Sequence, residues 1–354
     1  LIAKQTEVAL RHRPAFALIA GGRPDQALAM EATGIRSYLH VPSPRLIPMF
    51  LEQGARRFVF EGRECGGHIG PLASLVLWDT MVDTLVERVR TLDIAEEVHV
   101  LFAGGIHDAR SAAMVSTLAA PLSALGVRVG VLMGSAYLFT DEIVGSGATV
   151  ELYRTESLRC RETVGLETGT GHASRCANTG FAEHFISLKR QMHAEGKSND
   201  EIREVLEELN LGRLRLASKG EERSGADKRL VAVDSERQRT EGMYMLGQVA
   251  AIIEHTYSVA ELHQRVGPDS CDFLRASLDA ARLDRQLDED VHTQAPADIA
   301  LVGIGALLPE AGDVREYWQN ILDKVEAIRE IPEDRWDYRL YFDPDRQAPD
   351  KIYS

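Results

Sequence analysis

Residues 58–71 read FVFEGRECGGHIGP. A short apolar run, Phe58–Glu61, passes directly into a glycine-rich loop, and Leu72–Arg90 then follows with helical periodicity. The same grammar recurs on both sides of it. Apolar runs lie at Ala15–Ala20, Ser37–Val41, Val98–Ala103 and Arg128–Met133, and helical stretches lie at Pro24–Thr33 and Ala109–Leu125. Short apolar runs alternating with helical segments read as consecutive βα units carrying a parallel sheet. Glycines recur after several of the runs, at 21–22, 66–67, 104–105 and 134. A dinucleotide fold would concentrate them after its first strand. A (β/α)8 barrel instead brings all the C-terminal strand ends to one face. The expectation is the C-terminal part of a TIM barrel over residues 1–149, comprising its last five βα units, with about three more upstream at roughly 30 residues each.

Three loops follow successive strands: EGRECGGHIGP (61–71), FAGGIHDARSA (102–112) and LMGSAYLFTDE (132–142). Glycine permits positive φ and close backbone approach, and free N–H groups with a helix N-terminus attract anions. In barrels such a phosphate site follows strands 7 and 8, where Gly104, Gly105, Gly134 and Ser135 would then stand. His68, inside the first loop, has a side chain suited to proton transfer near neutral pH. Cys65 beside it reads either as a reactive thiol or as inert packing.

The remaining composition narrows the function classes. Forty basic against 54 acidic residues give a net charge of −14. That balance disfavours nucleic acid and anionic membrane surfaces as partners. No apolar tract reaches the roughly 18 residues of a membrane span, and a cytoplasmic location is expected. Cys65, Cys160, Cys176 and Cys271 form no CxxC pair, so neither a metal site nor a disulfide framework is indicated.

Residues 150–281 change character and read as a helical lid or substrate domain, with Asn199–Leu209, Met243–Glu254 and Val259–Val266 as its helices. GTGHASRC (169–176) reads as a polar loop, and LGRLRLASKG (211–220) as a basic strand or a cationic rim built from Arg213, Arg215 and Lys219. The acidic stretch 282–297 reads as a linker. A further domain opens at 298, with a strand at Ile299–Ile304 and a helix at Val314–Lys324. The chain starts at Leu1 and stops in DPDRQAPDKIYS (343–354), so a piece of a longer protein is expected.

The ordered set GGHIG, GGI and GSAYLF resembles the nitronate monooxygenase (2-nitropropane dioxygenase) family, which includes flavin-dependent enoyl reductases. The resemblance covers roughly residues 10–270. It implies FMN as cofactor, with Gly66 and Gly67 against the flavin and Gly104, Gly105, Gly134 and Ser135 on its phosphate. His68 would then face the substrate, and Gly247 and Gln248 of MYMLGQ would lie near the flavin. Residues 298–354 resemble the opening of a thiolase-like β-ketoacyl synthase domain of a polyketide or polyunsaturated fatty acid synthase. The matching pieces are IALVGIG, EYWQNILDKVEAI, IPEDRW and YFDPD. That resemblance implies acyl-carrier-bound thioester substrates, other synthase domains as partners and dimerisation through a complete ketosynthase, whose catalytic residues fall beyond residue 354. Three functions compete: an enoyl-thioester reductase using NADPH, a nitronate monooxygenase with His68 as base, and a non-catalytic scaffold. The chain alone is expected to bind FMN weakly or not at all.

Overall fold

The computed structural model describes residues 2–169, 171–225, 227–291, 303, 305–332, 335–345, 348–349 and 351–352. The first part runs α1 (Ile2–His12), β1 (Phe16–Ile19), α2 (Pro24–Glu31), β2 (Arg36–His40), α3 (Leu46–Glu52), β3 (Arg57–Glu61), β4 (Gly67–Ile69), α4 (Ser74–Leu92), β5 (His99–Ala103), α5 (Ala109–Ala124) and β6 (Arg128–Leu132). Five strands form one sheet in the order β1-β2-β3-β5-β6, and every pairing is parallel. All five apolar runs of the βα pattern are therefore strands of this sheet. Among the described residues β1 and β6 are its open edges, and Phe16 on β1 is 54% exposed.

Strands buried on both faces read as unbroken apolar runs, and the two faces do different work here. Leu39, Phe58, Phe60, Val100 and Phe102 face the helices in one large core with Leu77, Trp78, Met81 and Leu85 of α4. Trp78 is fully buried, sits edge-on to Phe102 at 5.7 Å, and donates its indole N–H to the Phe60 carbonyl at 3.0 Å. The other face carries a smaller cluster of Tyr38, Val59 and Ala103 with Leu101 and Leu132. Along that face the register aligns Arg57, His99 and Arg128 at the N-terminal ends, and Glu61, Ala103 and Leu132 at the C-terminal ends. Burial, and then the neighbouring Arg57, Arg128 and Arg36, hold the His99 imidazole below its ordinary range.

The next stretch comprises α6 (Glu142–Gly145), α7 (Glu151–Arg159), β7 (Thr163–Gly169), β8 (His172–Ala177), α8 (Gly180–Ala194), α9 (Asn199–Asn210), α10 (Arg213–Lys219), β9 (Glu221–Ser224), β10 (Arg229–Ala232), α11 (Ser235–Glu241) and α12 (Val259–Val266). α9 and α12 fall where periodicity puts them, and Ser198 caps α9 through the Glu201 N–H. Three local readings are corrected. GTGHASRC is the turn and second strand of a β hairpin, not a loop. LGRLRLASKG forms α10 rather than a strand, burying Leu216 and Ala217. Met243–Glu254 is extended and then a 3-10 turn, because Met243 enters the core around Phe181 and Phe185 while Tyr244 and Leu246 enter the sheet core. Consecutive residues bound to two cores cannot share one helix stripe.

A three-stranded antiparallel sheet in the order β4-β8-β7 joins the GGHIG segment to this stretch. α13 (Pro268–Val291) extends through residues 282–291, whose composition reads as linker, and α14 (Val314–Leu322) is the expected helix, capped by Asp313. Residues 299–302 and 304 of the expected strand lie outside the described residues. Two compact units cover residues 1–277 and 278–354. No described helix is long and apolar enough to cross a membrane.

Trp78→Ala is expected to destabilise the first unit by about 3–5 kcal/mol, as for other buried aromatic truncations. Urea unfolding followed by far-UV circular dichroism measures it, and a change below ~1 kcal/mol would mean the sheet core does not rest on this ring.

Candidate functional site

The C-terminal ends of β3, β5 and β6 enclose a cavity of about 490 Å³. Three loop stretches line it: Glu64–Gly66, Ala103–Ile106 and Leu132–Ser135. Glu61 borders it at the end of β3, and Leu138, Tyr153, Met245 and Val249 give it an apolar wall.

The glycines are there for two separate reasons. Gly104 and Gly105 hold φ of +108° and +82°, a region other L-residues enter only at a cost. A Cβ at Gly104 would also lie 2.7 Å from Ser74 Oγ. Gly66 is needed for packing, since a Cβ there would stand 2.7 Å from both the Gly247 nitrogen and the Leu246 carbonyl carbon. Gly134 meets nothing within 4 Å. The N–H groups of Gly104, Gly105 and Gly134 donate to no protein group among the described residues, which leaves them available to an anion. The α5 N-terminus is not part of that offer, because Asp108 caps it by accepting from the Ser111 N–H at 2.8 Å.

A knot of hydrogen bonds fixes the loops to one another. Ser74 donates both its N–H and its hydroxyl to Glu64, and its Oγ stands 3.1 Å from the Gly104 carbonyl. The Gly247 N–H donates to Ser135 Oγ at 2.7 Å, and the Gln248 N–H donates to the Glu64 carbonyl at 2.9 Å. Arg175, 6% exposed on β8, donates to the Arg63 carbonyl and to Thr163 Oγ1, both at 3.1 Å.

Of the residues singled out from sequence, Gly66, Gly104, Gly105, Gly134 and Ser135 line the cavity together. Gly67 is buried at the start of β4 with φ +84°, outside the lining. His68 is exposed on β4, in register with Ser174 of β8, and is not a lining residue. Gly247 works behind the wall as the clip on Ser135, and the Gln248 side chain is exposed. The three basic residues of α10 already have partners. Arg213 pairs with Glu241 at 2.7 Å, Arg215 with Glu221 at 3.5 Å, and Lys219 donates to the Gly147 and Ala148 carbonyls. Cys65 is buried and its Sγ donates to the His68 carbonyl. Burial and then the Glu61 carboxylate push that thiol far above its ordinary range, so it stays protonated. Sequence reading passed over Glu61, Glu64 and Tyr153. The two glutamates stood inside the quoted loop, but Tyr153 gave no signal, since only folding brings its hydroxyl to the Met245 carbonyl at 3.1 Å.

Comparison with known proteins fits this geometry. The family model described as Nitronate monooxygenase matches residues 3–268. The chain belongs to the nitronate monooxygenase family. Members of this family and of the related FabK group are flavoenzymes, generally dependent on FMN. The fold is shared with FabK from Thermotoga maritima, at TM-score 0.56 and 22% identity over 78% of this chain and 73% of that one. It is also shared with the enoyl reductase domain of MlnA from Bacillus amyloliquefaciens, at TM-score 0.52 and 12% identity over 78% and 80%. Residues 297–354 match the Beta-ketoacyl synthase, N-terminal domain. Polyketide synthase PksL of Bacillus subtilis is 39% identical over 66 residues, 19% of this chain and 2% of that protein. This nitronate monooxygenase family chain thus spans a few per cent at most of the length of the curated synthases it matches.

Two outcomes check the site. Gly66→Ala is expected to lower the melting temperature and Gly134→Ala to leave it nearly unchanged, since only the first meets backbone; equal melting curves would remove the close approach. Alkylation needs a thiolate. At pH 7.5 iodoacetamide is therefore expected to label exposed Cys271 and to spare Cys65 and Cys176, the latter pushed up to about 12 by burial. Peptide mass spectrometry reads the result, and rapid labelling of native Cys65 would contradict it.

Proposed function

We propose that this chain is an FMN-dependent enoyl-thioester reductase module of a polyketide or polyunsaturated fatty acid synthase, taking electrons from NADPH. The observation that carries the reading is the cavity at the strand ends, lined by three glycine loops of which two offer free N–H groups, in the same chain as a ketosynthase opening. In this reading the open five-stranded sheet is part of a (β/α)8 barrel and residues 150–281 are its lid.

The residues present fit the cofactor. The backbone N–H groups of Gly104, Gly105 and Gly134 would take its phosphate, and a Cβ at Gly66 would fill space the loop needs. FMN bound there supplies the hydride chemistry. The protein's own part is placement and dryness. Leu138, Met245 and Val249 exclude water from the cavity, and Ser74 fixes Glu64 and with it the loop after β3. The neutral Cys65 thiol adds no negative charge to the cavity it lines. The family also contains nitroalkane chemistry, and nitronate monooxygenation is the competing reading; the ketosynthase opening favours acyl thioesters.

FMN titration followed by flavin fluorescence, on the protein extended N-terminally by the rest of the barrel, tests the cofactor, and a flavin spectrum left unaltered at saturating concentration would refute it. Gly105→Asp sets a carboxylate near the phosphate, worth about 4 kcal/mol of repulsion at 4 Å and an effective dielectric of 20. FMN affinity is then expected to fall about 10²-fold or more. Stopped-flow mixing of the NADPH-reduced flavin with crotonyl thioester, or with nitronate and air, separates the reactions. Reoxidation by the thioester is expected, and reoxidation by nitronate and oxygen alone would transfer the assignment to the monooxygenase.

A further inference from the structure

Four hydroxyl-bearing residues line the cavity: Ser135, Thr149, Tyr153 and Ser218. Two are already engaged. Tyr153 donates to the Met245 carbonyl, and Ser135 Oγ accepts the Gly247 N–H in the loop that carries Gly134. Thr149 is different. It is 7% exposed, and its Oγ1 is buried with no hydrogen-bond partner among the described residues. The hydroxyl of Ser218, half-buried near the C-terminal end of α10, has no partner among them either. Buried hydroxyls in folded proteins are paired, so an orphaned one beside a cavity asks for an acceptor that the cavity takes in.

The fold fixes where these hydroxyls stand. Lys219 Nζ donates to the Gly147 carbonyl at 2.6 Å and to the Ala148 carbonyl at 3.0 Å, and the Val150 N–H donates to the Ser218 carbonyl at 3.1 Å. The Thr149 N–H donates to the Ile143 carbonyl at 3.3 Å. Residues 147–150 are thus strapped to the end of α10 on both sides of Thr149. Beyond the strand-end loops, the other lining residues are Leu138, Tyr153, Leu214, Met245 and Val249. This part of the wall is apolar but for its hydroxyls, and an acyl thioester has the matching chemistry, an apolar chain headed by one neutral acceptor oxygen. A hydroxyl meets that oxygen without placing a charge in the cavity, whereas the free N–H groups of Gly104, Gly105 and Gly134 suit an anion.

We infer that Thr149, with Ser218 next to it, forms the subsite that binds the carbonyl oxygen of the acyl thioester. The inference rests on the enoyl-thioester reading and names the groups that seat that substrate. Donation to the carbonyl also draws electron density from the conjugated β-carbon, the position that reduction attacks, so the bond that seats the substrate activates it as well.

The test uses the FMN-loaded protein extended N-terminally by the rest of the barrel, with butyryl-pantetheine isotope-labelled at its thioester carbonyl. This saturated probe binds without being reduced. Calorimetry gives its affinity, and difference infrared spectroscopy gives the stretch of its carbonyl. One neutral hydrogen bond changes affinity by about three- to tenfold. Thr149→Val is expected to weaken probe binding by that factor and to raise the carbonyl frequency. Thr149→Ser should keep both near wild type, and Ser218→Ala should give a smaller change in the same direction. FMN affinity and the melting temperature of ligand-free Thr149→Val are expected to match or exceed wild type, because the lost hydroxyl had no protein partner. Wild-type affinity and stretch in Thr149→Val overturn the inference, and so does a loss confined to FMN, which would give the hydroxyl to the cofactor. Should that variant not fold, the wild-type stretch decides: a bound carbonyl at the frequency it has in a solvent without hydrogen-bond donors overturns the assignment. Wild-type protein that oxidises nitronate and never binds the probe sinks the enoyl-thioester reading and the subsite with it, whereas a bound probe indifferent to Thr149→Val sinks only the subsite.

Discussion

Ser74, in the first turn of α4, is the point at which the loops over the sheet are tied. It holds Glu64 through both its N–H and its hydroxyl, and its Oγ reaches the Gly104 carbonyl. The approach is so close that a Cβ at Gly62 would fall 2.3 Å from the Ser74 Cα. Buried donors and acceptors left unpaired cost about 1–3 kcal/mol each. Ser74 and two glycine positions, Gly62 and Gly104, therefore constrain one another. Glu64 in turn carries the Gln248 N–H on its carbonyl, and Gly247 clips onto Ser135. The loops after β3, β5 and β6 behave as one piece, and the cavity is what they leave between them.

The sheet beneath was legible because its central strands, β3 and β5, are largely buried on both faces. Phe58–Phe60 and Val100–Ala103 are unbroken apolar runs, and a parallel strand packed on two sides has that appearance. The glycines were legible for a related reason. Positive φ at Gly104 and Gly105 and backbone contact at Gly66 are demands only glycine meets, so the residue type reports the geometry directly.

The segment between residues 160 and 254 was much less legible. β7 and β8 carry glycine, histidine, serine and arginine; β8 pairs along its edge with β4, and the buried Arg175 serves carbonyl and hydroxyl acceptors rather than a core. Met243–Gln248 has the apolar content of a helix but divides it between two cores. Periodicity counts apolar residues on one face and cannot report a segment that serves two. The candidate site shows the same division. Gly66, Gly104, Gly105, Gly134 and Ser135 line one cavity, whereas Gly67 lies outside its lining and His68, singled out by its flanking glycines, lies exposed in register with Ser174.

The sequence by itself determined the βα order, the parallel sheet, the glycine loops at its C-terminal edge and the ketosynthase opening after residue 297, because each depends on residue type at short range. Only the tertiary structure decided which side chains meet at that edge. His40 and Glu61 are 21 positions apart, on strands that pair in parallel, so their contact exists only once the register of β2 on β3 is set. Register is a property of paired strands and not of either run alone, and it is what brings a histidine and a glutamate at two strand ends into contact.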